Sequence, residues 1–248
     1  LVANHHMLFG KKKASSSGAV KPPTGEELLE HYTPEQLRAH FLALGLDQKS
    51  VGFSPKPFDP DPAKRDDPRY ADPVLKLLTN VFNRLARSCF YEAQKNFDGC
   101  MPLGTVTPEV RRRAFEALLD YEERMHKVEL HRVMSVCDEF IRWSNKWWAD
   151  GIKAAEASED ADARRQVLVD SFYLLRMATL LMHPIVPVGC EKICDYLSFD
   201  FGDFFSWNYD FDSNDELCPA IEIDAGAHRI HELPPRFDFF RKHESQYK

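Results

Sequence analysis

VLKLLTNVFNRLARSCFYEAQKNFDG, residues 74–99, is the stretch on which the fold turns. Apolar residues recur at 74, 77, 78, 81, 82, 85, 89 and 93, the stripe of an amphipathic helix, and Gly99 is placed to stop it. At 100° per residue, Asn80, Arg84, Arg87 and Tyr91 fall within about 60° of one another on the polar side. An amide, two guanidinium groups and an aromatic ring on one narrow face suit unstacked bases. Asn and Arg pair bidentately with base edges, and Tyr or Arg planes stack. Every amphipathic helix also has a solvated face, so the pattern leaves both readings open.

Working outward, helical signals dominate. Thr24 with Glu27 has capping-box spacing, and Thr33 before Pro34 opens a second helix over about 34–44, ended by Gly45. Residues 52–73 hold six prolines and little apolar periodicity, so they read as a surface connector. Downstream, Thr107-Pro108-Glu109 begins a helix to about 123. Further helices are expected over 126–148, 160–182 (closed by His183-Pro184) and from Pro187 to Leu197. The alanine-rich, acidic stretch 151–162 reads as a loose turn or a thin helical extension. The tail alternates aromatics with acids and reads as irregular, with short strand character at 221–223. The sum is an all-α protein, a bundle of about five antiparallel helices with a ragged front and an acidic tail.

Composition narrows the function classes. With 248 residues, 44% hydrophobic and 12% aromatic, the chain is long and apolar enough for a full core. Charge interrupts every apolar run, so no membrane span is expected, and the opening LVANHHMLFG lacks a signal-peptide pattern. That opening reads as the middle of something, so the chain is expected to be the carboxy-terminal portion of a longer protein. The net charge of −7 argues against indiscriminate nucleic-acid binding. It is uneven: residues 1–22 carry four lysines and no acid, whereas 198–248 carry eleven acids against five bases. RNA, if bound, must meet a local face. The six cysteines form no CxxC pair, and neither Cys190 with Cys194 nor His5 with His6 has partners at metal-ligand spacing, so buried thiols and no metal are expected. Trp143 and Trp147 share a helical face and read as core; Trp148 falls on a different side and is the candidate for base stacking.

Four stretches carry a resemblance. They are KASSS at 13–17, TNVFNR at 79–84 followed by FDGCMP at 97–102, SNKWWAD at 144–150, and MHPIVPVGCEKICDYL at 182–197. In this order they resemble the carboxy-terminal half of a methionyl-tRNA synthetase, a class I aminoacyl-tRNA ligase. The resemblance implies that KASSS is a degenerate KMSKS loop, with Lys13, Ser15 and Ser17 as its catalytic residues and Lys12 and Lys13 near ATP. Ala14 and Ser16 depart from the motif. A lysine–serine surface loop is the plain alternative. The resemblance further implies that Asn80 and Arg84 contact the anticodon of a tRNA carrying CAU; Arg87, on the same helix face, and Trp148, out of register with the family's tryptophan, are the further candidate contacts. The tryptophan of the family's Ala-Pro-Trp segment has no counterpart in ADGIKAAE at 149–156.

From the resemblance follow a cytoplasmic enzyme using ATP with Mg, methionine and tRNA, and three regions. These are the end of a catalytic domain (1–22), a connector (23–72) and an anticodon-binding bundle with its acidic tail (73–248). The HIGH signature, the nucleotide-binding sheet and a zinc knuckle would precede residue 1, so this chain alone is not expected to aminoacylate. The rival readings are an inactive paralogue that binds RNA or protein, and a helical scaffold sharing only bundle periodicity.

Overall fold

The computed structural model describes residues 4–9, 12–13, 21–75, 78–206 and 228–247. Strand β1 (Met7–Phe9) pairs antiparallel with β2 (Lys12–Lys13). The helices α1 (Gly25–Leu29) and α2 (Pro34–Ala43) follow, each begun by a threonine whose hydroxyl accepts from the third helical N–H, with a reciprocal side-chain bond from Glu27 or Gln36. Gly45 closes α2's end with φ +73°, a left-handed conformation that glycine adopts without steric cost. Strand β3 (Val51–Phe53) returns parallel to β1. The proline-rich connector is more ordered than its composition suggests: it holds β3, a 3₁₀ turn at Lys56–Phe58 and a short helix α3 (Pro62–Asp66) capped by Asp61. Lys56 Nζ donates to the carbonyls of Asp67 and Tyr70, and Tyr32 donates to Asp72 at 2.5 Å, so side chains supply the order that periodicity lacks. Leu28, Tyr32, Leu37, Phe53 and Val74 form a small core of their own beneath this front.

The helix expected over 74–97 is not continuous. A 3₁₀ turn at Pro73–Leu75 precedes a π-helical segment, Leu78–Phe82, before the regular helix α4 (Asn83–Asn96) begins. Leu77 lies outside the described residues. The wide turn buries Leu78 and Phe82 together and withdraws carbonyls from the usual ladder. Asn145, from across the bundle, donates to the Val81 carbonyl at 2.9 Å and so satisfies one of them. Asp98, at φ 52°, and then Gly99, at φ +70°, turn left-handed and stop α4 close to the expected point.

Strand β4 (Cys100–Met101) leads into α5 (Pro108–His126), α6 (Leu130–Ser158), α7 (Ala161–Met182), α8 (Pro187–Tyr196) and α9 (Phe201–Phe204). The stretch at 151–158 belongs to α6, which runs on until Glu159 turns left-handed at φ 52° and Asp160 caps α7. Gly151 sits inside α6 because Val167 of α7 lies 2.7 Å from where a Cβ would be. Helix α7 is buried on almost every side. Its Asp170 accepts from the Thr107 N–H at 2.9 Å, capping α5 in place of Thr107's own hydroxyl, and burial raises the Asp170 carboxyl above the usual carboxylate range. The front is joined to the bundle by α2. Glu35 accepts from the Gly189 N–H at the start of α8, and Arg38 donates to the carbonyls of Pro184 and Ile185.

The tail is not merely irregular. Strand β5 (His228–Arg229) pairs with β4, and beyond it the chain runs as a strap across α4. Ile230, Leu233, Phe239 and Phe240 are buried in the main core. Residues 221–223 lie outside the described residues. Cys89, Cys137, Cys190 and Cys194 are buried free thiols, Cys100 is half-buried, and Cys218 lies outside the described residues. Burial pushes the Cys194 thiol up to about 11. Among the described residues no group of three His, Cys, Asp or Glu is placed to hold a metal ion, and no helix is long and apolar enough to cross a membrane.

Candidate nucleic-acid interface

Arg84, Ser88, Tyr91 and Lys95 follow one another at helical spacing and therefore line one face of α4. Together with Arg87, Glu92 and Trp148 from α6 they wall a solvent-open cleft of about 290 Å³. The structure thus brings together Arg84, Arg87 and Trp148, which the sequence singled out from two separate helices. Asn80 is exposed but is not part of this wall. It lies in the π-helical segment, whose wider turn breaks the 100° step used to align it with Arg84.

The charged groups of the cleft divide into paired and unpaired. Glu92 is buried and paired with Arg164 of α7 at 2.7 Å, and Arg164 also reaches Glu156 of α6 at 3.1 Å. Arg87 Nη1 lies 3.0 Å from Asp238 Oδ1 on the strap. Arg84 and Lys95 make no ion pair among the described residues. A chain of net charge −7 therefore presents here two cations that have no ion-pair partner among the described residues, beside two aromatic rings. A cationic groove with aromatic platforms is the arrangement that takes up unstacked nucleotides.

Two sequence expectations need correction here. The polar side of α4 is not wholly free for bases, because the strap engages Arg87 through Nη1 and Tyr91 through its hydroxyl. Tyr91 donates its hydroxyl proton to the Pro234 carbonyl at 2.9 Å and accepts from the Phe237 N–H at 3.2 Å. The polar side of α4 is split: Asn83, Arg87, Tyr91 and Gln94 hold the strap, while Arg84 and Lys95 face solvent. Trp148 is half-buried, not exposed, and its indole N–H is shielded without a hydrogen-bond partner. Trp143 and Trp147 stack with ring centroids 5.4 Å apart against the core, as their shared face suggested.

Ser88, Lys95 and Asp238 were missed in the sequence. Helical spacing from Arg84 could have found the first two; nothing local to Asp238 points at Arg87. Lys12 and Lys13 form β2, and their side chains, like Ser15 and Ser17 altogether, lie outside the described residues.

No family model matches the chain. It is 22% identical over 200 residues to a methionine–tRNA ligase of Bacillus anthracis, covering 80% of this chain and 34% of that protein. To the methionine–tRNA ligase of Methanosarcina mazei it is 23% identical over 193 residues, covering 77% of this chain and 25% of that one. With the Haloarcula marismortui methionine–tRNA ligase it shares 25% identity over 118 residues, covering 48% of this chain and 16% of that one. The chain spans at most about a third of the length of these relatives. A structure of Mycobacterium tuberculosis methionyl-tRNA synthetase in complex with methionyl-adenylate superposes with TM-score 0.70 at 19% identity, covering 96% of this chain and 43% of that one. A second structure of that protein bound to methionyl-adenylate gives TM-score 0.64 over the same shares. Over four fifths of its length the chain is similar in sequence to methionine–tRNA ligases, and over nearly all of its length it shares the fold of the helical part of a methionyl-tRNA synthetase structure.

Proposed function

We propose that this chain is the tRNA-binding part of a methionine–tRNA ligase, and that the α4–α6 cleft meets the CAU anticodon. One observation supports this above the others: in a chain of net charge −7, Arg84 and Lys95 stand beside Tyr91 and Trp148 with no ion-pair partner among the described residues. The division into 1–22, 23–72 and 73–248 belongs to this proposal, as do Asn80 as a second anticodon contact and Lys12, Lys13, Ser15 and Ser17 as the ATP-facing loop. Ligation of methionine to tRNA with ATP and Mg, in the cytoplasm, is proposed for the whole protein. That the chain alone does not aminoacylate belongs to the same proposal.

Arg84→Ala and Asn80→Ala should each weaken binding of tRNA with a CAU anticodon by about 1–3 kcal/mol. A filter-binding titration at fixed salt reads this directly. Unchanged affinity in both variants sinks the anticodon assignment. A scaffold without an RNA role predicts no binding at any salt concentration, whereas a phosphate-contacting cleft binds more weakly as salt rises.

A second reading, an inactive paralogue that binds RNA or protein, has its own support. Ser16 stands where the resemblance calls for a second lysine, which removes a cation from the loop that faces pyrophosphate. Methionine-dependent ATP–pyrophosphate exchange by the full-length protein would exclude it.

A further inference from the structure

We propose that Asp238 is an internal counter-ion of the cleft, occupying Arg87 in the way an RNA phosphate would and so limiting how strongly the cleft attracts RNA. The proposal rests on the RNA-binding reading of the cleft and deepens it.

Arg87 lines the cleft, and its side chain is 32% exposed against 22% for Asp238, so the pair sits at the surface that RNA would approach. Asp238 cannot easily swing aside. One residue before it, the Phe237 N–H donates to the Tyr91 hydroxyl. Two residues after it, Phe240 exchanges two hydrogen bonds with the buried Asn83 side chain, at 2.9 and 3.0 Å. The carboxylate is therefore held against Arg87 by anchors on both sides. Only Nη1 of Arg87 is used by Asp238, and a guanidinium carries five donor hydrogens. Arg87 thus keeps directional donors for a base or sugar while contributing almost no net charge. Of the three basic side chains on the cleft wall, RNA meets two as cations, Arg84 and Lys95. The wall discriminates by shape and hydrogen bonding more than by charge, which suits a protein of net charge −7.

Charge variants separate this role from a merely structural one. Asp238→Asn keeps the acceptor for Arg87 and removes the charge. Binding of an RNA hairpin with a CAU loop to the full 248-residue chain should then tighten about fivefold at low salt, and the slope of log K against log salt should steepen by about 0.7, one phosphate's worth for a single strand. Arg87→Ala leaves Asp238 uncompensated and should make the slope shallower by about the same 0.7. The double variant restores the charge balance and should return to the wild-type slope. A structural role alone would weaken binding in all three and leave the slopes alike. An unchanged slope in Asp238→Asn, or looser binding at low salt, overturns the counter-ion. Arg84→Ala, measured alongside, tells the two levels apart. If it weakens binding while Asp238→Asn is silent, only the counter-ion falls. If Arg84→Ala is silent as well, the cleft reading falls with it.

Discussion

Gly189→Ala is expected to lower the stability of the chain by about 3 kcal/mol, although alanine is the better helix former by about 1 kcal/mol. Gly189 lies in the first turn of α8, and a Cβ there would stand 2.2 Å from Phe240 Cε1 and 2.3 Å from Cδ1. No rotation of a flexible tip relieves such an overlap, because the neighbour is a rigid ring that is 1% exposed and stacked on Phe82 at 4.6 Å between centroids. Either the ring leaves its slot or α8 shifts. Losing a buried phenylalanine costs about 3–5 kcal/mol, and overpacking by one methyl costs about 1–3 kcal/mol. A Cβ 2.2 Å from a ring carbon is too deep an overlap for the low end of the overpacking range, so the ring's displacement sets the scale, and after the propensity gain of about 1 kcal/mol a net loss of about 3 kcal/mol remains. Thermal unfolding reads the result: at about 2–4 °C per kcal/mol for a chain near this size, the melting temperature should fall by about 6–12 °C. A melting temperature equal to or above wild type would show that Phe240 does not fill that slot.

Asn83→Ala should cost about 2–6 kcal/mol from the opposite side of the same residue. Asn83 is fully buried, donates through Nδ2 to the Phe240 carbonyl at 2.9 Å, and accepts through Oδ1 from the Phe240 N–H at 3.0 Å. Truncation strands a backbone donor and a backbone acceptor where water does not reach, at about 1–3 kcal/mol each. Because Gly189→Ala and Asn83→Ala act on one anchor, their effects should not add; once the ring is displaced, the amide bridge has nothing left to hold. Urea unfolding of both single variants and the double variant completes the cycle. Additive losses would mean that Phe240 is not the shared element.

Much of the fold was legible because the relevant signals are local. Thr24 and Thr33 start helices by bonds within three residues, Pro34 and Pro108 occupy first helical positions, Gly45 ends α2 through its own φ angle, and Gly99 follows Asp98 in the left-handed turn that ends α4. The unreadable parts depend on partners far along the chain. The π-helical turn at 78–82 is stabilised by Asn145, 64 residues away, and the strap is fixed by Asn83, Arg87, Tyr91 and Gln94 over separations of 139 to 157 residues. For the cleft, sequence found Arg84, Arg87 and Trp148 by residue type. It could not tell that Arg87 and Tyr91 were already spoken for, since their polar character is the same whether the partner is a base, water or a strap. Buried aromatics at 239–240 in an acidic tail were the available clue that the tail returns to the core.

The path of the strap also dictates an order of assembly. Helix pairs such as α5–α6 and α6–α7 close over short connections, whereas seating Phe240 against Phe82 requires two points 158 residues apart to meet, an entropically late event. Contacts made after the rate-limiting barrier govern how fast a protein comes apart more than how fast it forms. Loosening this clasp should therefore steeply accelerate unfolding in a stopped-flow denaturant jump and leave the refolding arm nearly where it was, making the clasp the kinetic lock of the bundle.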